Sequence, residues 1–255
     1  MLKLTYQLIK TNVFGGINNM ERVCRNANPF FIFEPMRILT FLFCLFFFRV
    51  SAQELNIQQR PIIWNAERAQ LSIDYLRERH GLDVHSAQIT PRMVVVHWTA
   101  IMSLQRTFEV FDPVRLPGRP NLKAVSPLNV SAQFLIDRDG TIVQILPDSI
   151  FARHTIGLNY CAIGIENIGS DKYPLTSAQL QANADLIRYL ASKYQIDYVI
   201  GHHEYQNFRK TDLWKETDPN YLTTKTDPGD EFMHQLRQNL SDLKLLDIPQ
   251  YNDLK

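Results

Sequence analysis

The sequence predicts an α/β fold, a single domain with a mixed central β-sheet flanked by helices. Short β-branched runs at Arg92–His97, Cys161–Ile168 and Tyr198–Ile200 are too brief and too continuously apolar for half-exposed strands, so they read as buried ones. Segments with a helical apolar period separate them, the alternation that builds a sheet with helices on both faces. Asp139-Gly140, between Gln133–Asp137 and Thr141–Leu146, is a tight-turn signal that adds one antiparallel hairpin. The chain has no internal repeat, no low-complexity tract and no sign of a second folded domain.

Taken in order, Gln53 to Pro61 is polar and reads as a tether. Asn65 can cap a helix over Ala66–His80, with Ala69, Ile73 and Leu76 on one stripe and Gly81 to close it. Residues 53–91 thus form an N-terminal tether and helix ahead of a main domain at 92–243. Ser103 to Asn129 carries Pro113, Pro117, Pro120 and Pro127 and reads as a long loop at the rim of a groove. Thr176-Ser177-Ala178-Gln179 has the form of a capping box, and Leu180, Leu186, Ile187, Leu190 and Tyr194 continue a helix. Asp227-Pro228-Gly229-Asp230 opens a last helix with Phe232, Leu236, Leu240 and Leu243 on one face. Residues 244–255 read as a peripheral tail.

The first 52 residues read as a leader. Met36-Arg37 begins a basic segment, Ile38–Phe48 is apolar, and Val50-Ser51-Ala52 supplies small side chains where signal peptidase cuts. Residues 36–52 are therefore expected to be a signal peptide cleaved after Ala52, and residues 1–35 a non-native upstream extension with Met36 the true start. The apolar run is short for a membrane span, which disfavours an uncleaved anchor. The product is expected to be exported to the periplasm or the extracellular space, without stable membrane insertion, and to act as a monomer.

Six of the 27 Lys and Arg and two of the 26 Asp and Glu lie before Gln53, so the remainder carries a net charge of −3. That balance speaks against a nucleic-acid partner, which requires a basic face. Of three cysteines only Cys161 lies beyond the leader, so it packs as a small apolar group and forms no internal disulfide.

Three scattered residues carry the strongest chemical signal. His97 ends Met-Val-Val-Val-His, His202 lies in Ile-Gly-His-His, and Asp227 lies in Lys-Thr-Asp-Pro-Gly. A lone His after a strand is more often a hydrogen-bonded structural residue. Two neutral imidazoles and a carboxylate together make a three-ligand zinc set with the fourth position open, the arrangement catalytic zinc needs. Glu166 ends the apolar run Ala162-Ile163-Gly164-Ile165, where an unpaired carboxylate is costly to bury unless it faces a site.

These residues belong to an ordered succession of motifs: Val94-Val95-Val96-His97-Trp98-Thr99-Ala100, Ser131-Ala132-Gln133-Phe134-Leu135-Ile136-Asp137-Arg138-Asp139-Gly140-Thr141 and Ala152-Arg153-His154, followed by Asn159-Tyr160-Cys161-Ala162-Ile163-Gly164-Ile165-Glu166, Gly201-His202 and Lys225-Thr226-Asp227-Pro228-Gly229. From about Arg92 to Leu240 the chain resembles zinc-dependent N-acetylmuramoyl-L-alanine amidases related to peptidoglycan recognition proteins. The resemblance implies one Zn²⁺ per chain and hydrolysis of the amide between N-acetylmuramic acid and L-alanine in peptidoglycan or its fragments. It assigns Glu166 as the general base and Lys225 as the oxyanion partner. His154 becomes a substrate contact able to assist proton transfer, and Asn159 a residue that shapes the groove. It selects His202 rather than His203, whose side chain points to the opposite face of an extended segment. A tyrosine that some members carry at Ala132 is missing, which fits a glutamate-based mechanism better. Residues 203–224 intervene where relatives usually have only a few, and read as an inserted loop beside the site.

Trp98 and Trp214 could stack on sugar rings, with core packing the expected role of Trp98. His80, His85 and His234 lack ligand spacing. The alternative function is a recognition module that binds muropeptides without cutting them; such relatives typically lose a metal ligand. A zinc peptidase on another scaffold is disfavoured because the chain has no His-Glu-x-x-His helix motif.

Overall fold

The structure, a computed structural model, describes residues 55–250. The expected upstream extension, signal peptide and cleavage point lie outside the described residues. Strands β1 (Ile57–Gln59), β2 (Met93–Trp98), β3 (Phe134–Ile136), β4 (Ile142–Gln144), β5 (Ala162–Asn167) and β6 (Tyr198–Gly201) form one sheet in the order β1-β4-β3-β5-β2-β6. The β3–β4 hairpin is antiparallel and every other pairing is parallel, so the sheet is mixed. The helices are α1 (Ala66–His80), α2 (Leu104–Phe111), α3 (Pro120–Val125), α4 (Ser177–Lys193) and α5 (Asp230–Asn239). None of the described helices is long and apolar enough to cross a membrane.

The two sheet faces are covered differently. Val94, Val96, Ile163 and Ile165 pack on Leu186, Ile187 and Leu190 of α4 and Met233 and Leu236 of α5. On the opposite face, Met93, Val95 and Ala162 meet Leu158, Tyr205, Phe208 and Trp214, while Leu135 and Val143 meet Ile62 and Phe111. Continuous burial along β2 and β5 follows, as parallel central strands require. The expected caps form. Asn65 Oδ1 accepts from Arg68 N at 2.9 Å, Gly81 takes φ 63° after α1, and Thr176 and Gln179 satisfy each other's backbone at the start of α4.

Two expectations are corrected. The polar stretch read as a tether contains β1, which pairs in parallel with β4 and extends its ladder through Arg60 N to Gln144 O at 3.0 Å. Three residues of edge strand carry too little alternation to be seen in sequence. The stretch read as a loop at 103–129 holds α2, capped by Ser103 Oγ, and α3, with Pro120 in its first turn. The prolines there punctuate the helices: Pro113 follows α2 and Pro120 starts α3.

Candidate metal centre and substrate groove

Strand register brings the centre together. His97 on β2 lies directly opposite Glu166 on β5, and Val96 lies opposite Gly201 on β6, so His202 is the next residue along the same edge. Three parallel strands thus end side by side, and the crevice beyond their carboxyl ends is where α/β sheets bind ligands. His97 and Glu166 share the sheet face of Val95 and Gly164, because side chains alternate along a strand. Asn167 donates from Nδ2 to His97 O at 3.1 Å and steadies that strand end.

Asp227 reaches the centre from the segment before α5. The insertion expected at 203–224 returns the chain to place by pairing with the turn that follows β6. Tyr205, in a 3-10 turn over His202–Phe208, donates from its hydroxyl to Thr223 O at 2.6 Å and accepts from Thr223 N at 2.9 Å. His203 N donates to Asp227 O at 3.0 Å. His203 Nδ1 also lies 3.0 Å from Asp227 O, so His203 faces the backbone behind the centre while His202 faces into it. A 3-10 turn, and not the expected extended alternation, separates the two rings.

The three ligand atoms converge. His97 Nδ1 and His202 Nδ1 lie 2.9 Å apart, His202 Nδ1 and Asp227 Oδ2 3.1 Å, and His97 Nδ1 and Asp227 Oδ2 3.3 Å. Zinc bonds of ~2.0–2.1 Å at tetrahedral angles put ligand atoms ~3.3 Å apart, so this triangle fits a zinc ion. His97, His202 and Asp227 form the one group of three or more metal-capable side chains found among the described residues, and all three are buried.

The electrostatics agree with that use. Burial, reinforced by the neighbouring His97, pushes His202 down to about 3, leaving the neutral imidazole a metal requires. Burial alone would raise Asp227, but its hydrogen bonds with His202 and His97 outweigh it and hold the carboxyl well below its usual range. Glu166 goes the other way: desolvation raises it to about 7, against the attraction of His97, Lys225 and Arg119. Its Oε2 is buried with no hydrogen-bond partner. A carboxylate left without donors beside a cation site is poised to accept a proton.

His154 lies against the back of His97. Its Nδ1 stands 3.1 Å from His97 Nε2 and 2.8 Å from Thr155 Oγ1, and its Nε2 stands 3.4 Å from Ala162 O. If His97 turns Nδ1 to the metal, its Nε2–H donates to His154 Nδ1, the usual outer support of a ligating histidine. A Cβ on Gly164 would come 2.9 Å from this ring, so the strand needs glycine there. Burial keeps His154 neutral, well below its ordinary value. Buried Asn159 holds this loop, its Oδ1 accepting from His154 N at 2.9 Å and Thr155 N at 2.6 Å.

The centre opens into a cavity of about 350 Å³ lined also by Trp98, Lys225, His154 and Asn159. Every site residue expected from sequence therefore faces one space. Trp98 lines the cavity half-buried instead of packing in the core, whereas Trp214 stacks on Tyr205 with ring centroids 6.0 Å apart. Cys161 is buried with a thiol that burial pushes up to about 12, consistent with a packing role. Tyr75, Arg119, Arg153 and Tyr221, for which the sequence suggests no site role, also line the cavity. Tyr75, Arg119 and Tyr221 sit where an isolated Tyr or Arg gives no local signal, and Arg153, though beside His154 in its motif, carries no mark of what it contacts.

Residues 87–230 match the family described as N-acetylmuramoyl-L-alanine amidase. The chain belongs to this family. It is 39% identical over 105 residues to the 1,6-anhydro-N-acetylmuramyl-L-alanine amidase AmpD of Salmonella typhimurium, covering 37% of this chain and 56% of that protein. The match thus spans about half the length of that relative. Among solved structures, N-acetylmuramoyl-L-alanine amidase LysC from Clostridium intestinale is similar at a TM-score of 0.47 and 20% identity, covering 73% of this chain and 97% of that one. Human PGRP-IBETAC in complex with glycosamyl muramyl pentapeptide is similar at 0.41 and 19%, covering 58% and 84%.

Proposed function

We propose that this member of the amidase family is an exported zinc hydrolase that cleaves the amide between N-acetylmuramic acid and L-alanine in peptidoglycan or its fragments. The convergence of His97, His202 and Asp227 beside an unpartnered Glu166 carries this reading over muropeptide recognition without cleavage. A recognition module has no use for a complete ligand set or for a carboxyl raised towards neutrality by burial.

A zinc ion held there would polarise the scissile carbonyl and acidify water. Glu166 accepts the proton of the attacking water and passes it to the leaving amine of L-alanine. The Lys225 ammonium, which lines the same cavity, faces the oxygen on which negative charge develops. His154 fixes His97, and Asn159 fixes His154. Mass spectrometry of defined muropeptides incubated with the protein tests the reading, with metal content measured on the same preparation. Release of a free stem peptide beginning at L-alanine, abolished by chelator and restored by zinc, is expected. Tight muropeptide binding with no release by the zinc-loaded protein would favour the recognition reading.

Export rests on the leader alone, and N-terminal sequencing of secreted protein checks it. A mature chain beginning at Gln53 is expected, and a full-length chain held in the membrane would refute cleavage.

A further inference from the structure

At the wall of the cavity, Arg153 is 3% exposed and has no carboxylate partner among the described residues. It donates instead to the carbonyls of Ser126 (3.1 Å), Leu128 (2.6 Å) and Leu122 (2.9 Å), and to the Tyr221 hydroxyl at 3.5 Å. Buried cations normally have a counter-ion, because carbonyl dipoles offset desolvation without neutralising the charge. The nearby acids are already engaged. Arg79 holds the fully buried Glu216 at 2.5 Å and reaches Asp218 at 3.8 Å.

Two phenols flank this guanidinium. Tyr75 packs its ring 5.2 Å from the Arg153 guanidinium carbon and is 1% exposed, yet its hydroxyl makes no hydrogen bond among the described residues. The residue lines the cavity, which leaves this donor unspent at its wall. Tyr221 accepts from Arg153, and its own hydroxyl hydrogen has no acceptor among the described residues. The Arg79 guanidinium, 4.9 Å from the ring centre, holds Tyr221 from behind.

A buried positive charge without a counter-ion, bracketed by two unspent O–H donors, is the chemistry of a carboxylate site. We infer that Tyr75 and Tyr221, charged from behind by Arg153, bind a free carboxylate of the stem peptide while the adjoining amide lies at the metal centre. The inference rests on the amidase reading, since both sets of residues line one cavity. Arg153 is a positioning residue: its donors are spent on the protein, and it acts through its charge and through Tyr221.

Arg153→Met risks unfolding both walls, so Tyr75→Phe and Tyr221→Phe carry the test. Each removes one oxygen and keeps the ring. Steady-state kinetics of the zinc-loaded full chain would be compared on a muropeptide with free stem carboxylates and on versions amidated one carboxylate at a time. Each variant is expected to raise KM about tenfold on the free substrate, with kcat within about twofold, as loss of a hydrogen bond to a charged group implies. One amidated version should be a poor substrate for the wild type and indifferent to both substitutions. Equal losses on free and amidated substrates, or no loss on either, would overturn the carboxylate site. Calorimetric affinity for the same compounds separates the two readings. If no compound is cleaved but affinity still depends on the carboxylate and both hydroxyls, the subsite stands and the hydrolytic reading falls.

Discussion

His97, Glu166 and His202 stand at the ends of three adjacent parallel strands, whereas Tyr75, Arg153 and Tyr221 come from a helix and two loops. In the first region the backbone ladder sets each position, and register alone puts His97 beside Glu166. In the second, side chains hold side chains. The segment 203–224 is tied to the end of α1 by Thr217 N to Arg79 O (3.0 Å), Thr217 Oγ1 to Glu78 O (2.8 Å) and the Arg79–Glu216 pair. It is tied to the loop behind His154 by Lys215 N to Gly157 O at 3.1 Å. Gly157, at φ +76°, leaves room for Trp214, whose ring a Cβ would meet at 2.7 Å. A ladder-built centre can take its last ligand from the far side of a long segment, because Tyr205 and His203 re-pin the chain before Lys225 and Asp227. A wall built from side chains is free to vary, which suits it to specificity rather than chemistry.

The comparison is broken most severely by removing a ligand. His97→Ala and Asp227→Ala should lose zinc and lower turnover by roughly 10³-fold or more, the several kcal/mol a Lewis-acid metal supplies. Elemental analysis beside kinetics checks this, and full zinc occupancy in both variants would refute the ligand set. Glu166→Gln keeps shape and zinc but removes basicity, so turnover should fall ~10²–10⁴-fold. The pH profile sharpens that test. A base works only when deprotonated, so wild-type kcat/KM should decline as pH falls through the Glu166 pKa. Burial puts this at about 7, and a bound cation would pull it lower. The Gln variant should lose that acid limb; if it keeps near wild-type turnover, the base lies elsewhere, with His154 next to be tested.

A smaller effect on chemistry is expected from the wall. Arg79→Met leaves Glu216 buried and unpaired, which should destabilise the protein by ~3 kcal/mol. It should also raise KM through a displaced Tyr221, with zinc content unchanged. Thermal melts beside KM measurements check it, and zinc loss in this variant would show that wall and centre are not separable. The smallest effect is reserved for a site remote from both regions. Thr176→Ala removes the α4 cap and should cost ~1 kcal/mol of stability with kcat/KM unaltered.

The parts governed by local physics were legible in the residues themselves. Continuous apolar runs marked β2, β5 and β6, Asp139-Gly140 marked the hairpin, and Asn65, Gly81 and the Thr176 box marked helix ends, because periodicity and capping act within a few residues. The sequence also named His97, His202, Asp227 and Glu166, since each ends an apolar run or sits in a distinctive motif. Tertiary structure decided what depends on distant partners. Strand order placed His97 between Glu166 and His202, β1 became a strand only by pairing with β4, and α2 formed within a segment whose prolines suggested a loop. Arg153, Tyr75 and Tyr221 became one cluster although 78 and 68 residues separate the two tyrosines from the arginine. Such a cluster arises from burial and from hydrogen bonds across the fold, and nothing in the residues beside each of them records it.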